Sequence, residues 1–222
     1  MANTEVCRPE HAFYCFDVLR ASLHNEKHVR APFDDARYPL FVTWNTVSRS
    51  GGRSRLRGCI GNFGAMAITK GLADYALISA FQDDRFAPIS IEELPKLECI
   101  VSFLTDFEEA ETYLDWDIGT HGIYLSFPAP IRSPTSYFGS SRQRSGSGSY
   151  QTLTATYLPD VIPEQGWTKL EAVESAMRKA GWNGLIDEAM LKSVKLRRYQ
   201  SRTTTVRWAD YVEWKNQREE DE

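Results

Sequence analysis

The chain has 222 residues, 42% hydrophobic and 25% charged, with a formal net charge of −4. That is enough apolar material to bury a core without disulfide staples, in one domain or in two small lobes. The net negative charge excludes a protein that holds nucleic acid through its overall charge, and no run approaches the roughly 18 apolar residues of a membrane span.

From Pro9 to about Asn25, Ala12, Phe13, Phe16, Leu19 and Leu23 recur at spacings of three and four, which predicts an amphipathic helix. Leu40 to Val47 reads as a strand, Ser48 to Ser54 with Gly51-Gly52 as a hairpin turn, and Arg55 to Phe63 as the partner strand. Ala65 to Phe81 has helical periodicity and few charges, so it should be largely covered. Gln82 to Pro88 ends it. Ile91 to Leu94 predicts a short helix stopped by Pro95, and the alternation through Leu97, Cys99, Val101 and Phe103 a strand.

Gly122–Phe127 and Leu153–Leu158 read as a hairpin interrupted by Ser133–Ser149, a Ser/Gly/Arg tract with no core-forming residues. Thr168-Lys169-Leu170-Glu171 is a capping box, and Gly181 closes the helix it starts. Leu185 to Lys192 predicts another short helix. Val194–Ser201 and Thr203–Trp208 read as final strands, and Glu219–Glu222 as a solvated tail. Helices and strands are interspersed, with hairpins where turns are readable. The expected class is α+β with mostly antiparallel sheet and packed helices. The expected organisation is one domain over residues 9–215, a disordered insertion at about 131–150, and an acidic tail at 216–222.

The most informative run is Leu56-Arg57-Gly58-Cys59-Ile60-Gly61. In a regular strand Leu56, Gly58 and Ile60 share one face, and Arg57, Cys59 and Gly61 the other. A guanidinium two residues from a thiol on one face stabilises thiolate. Gly58, Gly61 and Gly64 precede a predicted helix, and free N–H groups there favour an anion. This assigns Cys59 as nucleophile or ligand contact and Arg57 as its electrostatic partner. Gly58, Gly61, Asn62 and Arg85 would contact ligand. The alternative from the same residues is a small buried cysteine and glycines that permit close packing.

This run is similar to the signature of the AMMECR family. The likeness continues through Pro39–Trp44, Asp84-Arg85-Phe86-Ala87-Pro88-Ile89, Glu93-Leu94-Pro95, Val101-Ser102, Leu104-Thr105, Gly119 and His121-Gly122-Ile123. It also includes Thr156-Tyr157-Leu158-Pro159, Gly166-Trp167, Lys179-Ala180-Gly181 and Arg198-Tyr199-Gln200, so it covers about Phe13 to Tyr211. The resemblance implies two unequal lobes around a cleft bordered by the Arg-Gly-Cys segment. The biochemical activity of that family is not established. Memo-like and radical-SAM proteins are implied as partners only by association with family members.

Two functions follow as expectations. One is an enzyme acting on a small molecule or protein at Cys59, with Arg57 binding an anion and His121 or Asp84 handling protons. The other is a non-catalytic protein-binding or regulatory module. No C-x-x-C pair and no H-E-x-x-H spacing occurs, so no metal or cofactor is expected. Met1 to Arg8 has no apolar signal core, and an intracellular protein of the cytoplasm or nucleus with thiol cysteines is expected. Eleven acidic and two basic residues lie in 83–117, and eight basic and two acidic in 178–207. Internal pairing of these halves is the expectation, since no aromatic-interleaved nucleic-acid motif accompanies them.

Overall fold

The chain folds in the order α1 (Pro9–His24), β1 (Arg37–Thr46), β2 (Arg55–Ala67), α2 (Ile68–Phe81), a 3-10 helix (Ile91–Lys96), β3 (Leu97–Glu109), β4 (Gly122–Pro130) and β5 (Tyr150–Tyr157). There follow α3 (Val161–Gln165), α4 (Lys169–Lys179), α5 (Glu188–Lys192), β6 (Lys195–Arg207) and α6 (Trp208–Glu220). These elements come from a computed structural model that describes residues 6–27, 30–47, 54–131 and 149–220, without the side chains of 219 and 220. The strands are hydrogen-bonded in the order β2-β1-β3-β6-β4-β5. The β1–β2, β1–β3, β4–β5 and β4–β6 pairs are antiparallel. The α+β class with an antiparallel sheet is therefore the observed one. The chain divides into two units, residues 1–105 with 202–222, and residues 106–201.

In the first unit, β1 alternates as its sequence demands. Leu40, Val42 and Trp44 are fully buried, while Phe41, Thr43 and Asn45 on the other face are half-buried. Helices α1 and α2 supply Phe16, Leu19, Leu72 and Ala76 to the same core, and the Trp44 indole N–H donates to the Ala76 carbonyl at 3.0 Å. Pro9 opens α1, where a missing N–H costs nothing. The left-handed Asn25 (φ 56°) closes it.

Helix α6 was not readable as a helix and replaces the expected tail through Glu220. Its aromatic residues pack on α1: Phe16 stacks on Tyr211 at 5.5 Å and Phe13 on Trp214 at 5.0 Å. The Tyr211 hydroxyl donates to Asp17 at 3.1 Å.

The second unit buries Ile123, Leu125 and Phe127 of β4 against Ala172, Val173, Ala176 and Met177 of α4. The capping box at Thr168 and Glu171 forms as expected. Ile131 donates to the Ser149 carbonyl at 2.8 Å, where the two ends of the expected insertion meet. The insertion itself (132–148) and the Gly51-Gly52 turn lie outside the described residues.

Other boundaries move for local reasons. β2 continues to Ala67 because Met66 and Ala67 still pair with Tyr38 and Arg37. The two strands expected over 194–208 form one, Lys195–Arg207, since Arg202-Thr203-Thr204-Thr205 contains no breaker. Pro95 sits inside the 3-10 helix, whose dihedrals suit it. Only Glu188–Lys192 of the helix expected at 185–192 forms, started by the Asp187 side chain accepting the Met190 N–H.

Candidate functional site

β2 is an edge strand, and Cys59 faces Thr43 across it. The Cys59 backbone N–H and C=O point to the open edge, where a sheet must be capped or left adhesive. A loop after α2 caps them. The Asp83 carboxylate accepts the Cys59 N–H at 2.9 Å, and the Arg85 guanidinium donates to the Cys59 carbonyl at 3.3 Å. Arg85 grips Asp83 with Nε at 2.8 Å and Nη2 at 2.6 Å, a bidentate pair. Asp83 is 4% exposed, while the Arg85 side chain is half exposed. The hydrogen bonds from Arg85, with those of the Cys59 and Arg85 amides, hold the Asp83 carboxyl down to about 2.

The sulfur is half-buried and accepts the Thr43 hydroxyl at 3.0 Å. Burial is the largest influence on it and pushes the thiol above the ordinary cysteine value, against the lowering effects of Thr43 and Arg85. The expectation was a thiolate maintained by Arg57; the cation that acts on this thiol is Arg85. Arg57 is the extra residue of a β-bulge, because Trp44 pairs with Gly58 but Asn45 pairs with Leu56. The bulge also breaks the expected alternation: Leu56 shares the face of Asn45 rather than that of Gly58.

Arg57 donates to both Glu93 oxygens, at 2.8 and 3.0 Å, and to the Pro88 carbonyl at 3.2 Å. Its Nη1 is buried without a hydrogen-bond partner among the described residues.

The glycines serve packing. A Cβ on Gly58 would overlap the Ser79 carbonyl of α2, and one on Gly61 would overlap the Leu40 carbonyl and the Phe41 ring. Asn62 is exposed and its own Oδ1 takes the Gly64 N–H at 2.7 Å. The α2 start is likewise occupied: Ala36 accepts from Ile68, and Asp35 from Thr69. The expected cradle of free amides is thus filled by the protein itself.

Asp84 is exposed, and its neighbour Asp83 is the carboxylate that meets Cys59. The carboxylate beside Cys59 is therefore Asp83, whereas the expectation placed proton handling on Asp84. The usable signal was that Asp83, as the residue two before Arg85, closes an Asx-type turn: the Arg85 N–H donates to Asp83 Oδ1 at 3.3 Å. His121 belongs to the second unit, where its Nδ1 accepts the Asp117 N–H at 2.9 Å as a turn residue does.

The AMMECR1 family profile matches residues 12–204. The chain belongs to the AMMECR1 family. It is 45% identical over 205 residues to an uncharacterised protein of Arabidopsis thaliana, covering 92% of this chain and 87% of that one. It is 34% identical over 210 residues to an uncharacterised protein of Schizosaccharomyces pombe, covering 92% and 95%. A crystal structure of an uncharacterised Pyrococcus horikoshii protein matches with a TM-score of 0.61 at 22% identity, over 90% of this chain and 93% of that one. That likeness is one of fold.

Among the described residues no helix is long and apolar enough to cross a membrane. The acidic and basic stretches pair with each other in part. Arg197 meets Glu109 at 2.8 Å, and Arg198 meets Glu108 at 2.9 Å and Asp115 at 2.8 Å.

Proposed function

We propose that this AMMECR1-family chain is a non-catalytic, intracellular protein-binding module, and that the strand around Cys59 is a rigid recognition surface. The observation that carries the reading is that the charges beside the motif are already spent. Arg57 is held by Glu93 and Pro88, and Asp83 with Arg85 holds the backbone of Cys59. A nucleophilic thiol needs an unspent cation to lower its pKa, and here burial raises it instead. A surface whose polar groups are fixed before a partner arrives loses little entropy on binding.

The test is alkylation of native protein by iodoacetamide across pH. Cys7, Cys15 and Cys99 are at most 2% exposed, so the rate reports Cys59. A midpoint above the ordinary thiol value of about 8.5 agrees with the module. Rapid stoichiometric labelling with a midpoint below about 7.5 overturns it.

A second reading, an enzyme acting on a small molecule, draws support from Arg57 Nη1. A buried N–H without an acceptor costs about 1–3 kcal/mol, and a ligand oxygen would relieve that cost. In the same alkylation experiment, the low midpoint that overturns the module favours this reading.

A further inference from the structure

A second cluster of polar side chains lies wholly within the second unit and is untouched by the reading of Cys59. Ser175 and Lys179 are one turn apart on α4 and share a face. Tyr157 ends β5 beside that face. Its hydroxyl and that of Ser175 are 2.9 Å apart. The Lys179 amine lies 4.5 Å from the Tyr157 ring centroid and donates to the Thr156 carbonyl at 2.9 Å. Trp167, the residue before the α4 cap, places its ring 5.5 Å from that of Tyr157.

The backbone under this cluster is pinned. The buried Tyr199 hydroxyl donates to the Tyr157 carbonyl at 3.0 Å, and the Thr156 hydroxyl donates to Ile123 at 2.8 Å. Gly122 has no side chain because the Tyr199 ring occupies that space.

We propose that Lys179, Tyr157 and Ser175 bind the oxyanion of a small aromatic molecule, a carboxylate or a phosphate monoester, whose ring lies against Trp167. The charge argument is direct. The Lys179 side chain is exposed, but packing against Tyr157 takes part of the water from its ammonium and lowers its pKa, and among the described residues no carboxylate pairs with it. The acidic residue of the α4 first turn, Glu171, is committed to Thr168. An oxyanion supplies the charge the ammonium lacks.

The hydroxyl pair adds a donor. Two hydroxyls bonded to each other use one hydrogen between them, so the second is available to the incoming oxygen. Lys179 remains exposed enough to be reached, while Tyr157, Ser175 and Trp167 are half-buried walls.

The experiment is a titration of ¹⁵N-labelled full-length chain, followed by NMR, with phenylacetate in one arm and phenyl phosphate in the other. Saturable shifts at residues 156, 157, 167, 175 and 179 in either arm are expected, and the tighter arm identifies the oxyanion. Lys179→Met should weaken binding about 10-fold, the loss of one charge-assisted hydrogen bond, and Lys179→Arg by no more than about 3-fold. Tyr157→Phe, which keeps the ring and removes one hydroxyl, should weaken it about 5-fold. Shifts that stay linear in both arms overturn the site. So does an affinity that Lys179→Met and Tyr157→Phe both leave unchanged.

Discussion

Replacing Gly58 with alanine tests how the cysteine strand is locked to its surroundings. A methyl group there would overlap the Ser79 carbonyl oxygen and approach its carbonyl carbon to 3.1 Å. Both atoms are backbone of the last turn of α2, so no flexible tip yields. The strand cannot retreat the other way, because Gly58 pairs with Trp44 and the Trp44 indole is bonded to Ala76 of the same helix. The turn of α2 must move instead, at about 3 kcal/mol, the upper part of the usual range for overpacking a well-filled core. Asp83 follows that turn within four residues and lies 4.0 Å from the added methyl. The Asp83–Cys59 hydrogen bond therefore loosens together with stability. The assay pairs urea unfolding with hydrogen exchange at the Cys59 amide. The expected result is a lower midpoint, an unchanged m-value, and faster exchange at Cys59 in the folded protein. A variant within about 0.5 kcal/mol of the parent, with unaltered exchange at Cys59, would refute the packing argument.

Two other outcomes follow from buried charge. His11 is 2% exposed, between the rings of Phe33 and Phe103, and desolvation lowers its pKa from 6.5 to about 4. The unfolded chain then binds the extra proton first as pH falls, so stability is complete above about pH 7 and declines toward pH 4, by about 2 kcal/mol at pH 5. His11→Asn should remove that share of the slope in urea titrations at pH 7 and pH 5; an identical slope in both proteins contradicts it. The Arg57–Glu93 pair is mostly buried, with the two side chains 14% and 28% exposed. Glu93→Gln should cost about 3 kcal/mol by stranding the guanidinium, and a double-mutant cycle with Arg57→Met should return a coupling near 2 kcal/mol. A coupling below about 0.5 kcal/mol would show that the pair is held without stabilising the fold.

Periodicity carried much of the fold into the sequence. The apolar stripes of α1, α2 and α4, the Leu97–Phe103 alternation of β3, and the capping box at Thr168 each state a local preference that the tertiary structure keeps. Helix α6 escaped because its partners are aromatic residues spread among charges, and only the packing on Phe13 and Phe16 marks its inner face. The site was less legible. Strict alternation places Leu56 on the face of Gly58, and one bulge at Arg57 moves it to the other. The choice between Asp83 and Asp84 depended on which carboxylate turns toward an edge strand, a long-range fact that adjacent identical residues do not distinguish. The Lys179 cluster joins residues from β5, α4 and the loop between them, and no local pattern announces such a meeting.

The Arg-Gly-Cys run looked chemical because glycine, cysteine and arginine together are unusual within a strand. The packing supplies a separate reason for each residue. Gly58 lets α2 touch the sheet, Gly61 lies beneath the Phe41 ring, and Arg57 fills the bulge by reaching Glu93. Cys59 sits where a side chain must be small enough for a covered position and still accept the Thr43 hydroxyl. Serine would also accept that bond, but a hydroxyl in a half-buried position carries a larger desolvation cost than a thiol. This separates two uses of the run. If packing alone selects the sulfur, Cys59→Ala should lower stability by about 1 kcal/mol and leave recognition intact. If recognition selects it, the same variant should lose partner binding while its unfolding midpoint barely moves. Measuring both quantities on that one variant discriminates the two, because the first mechanism acts through the folded core and the second only through the complex.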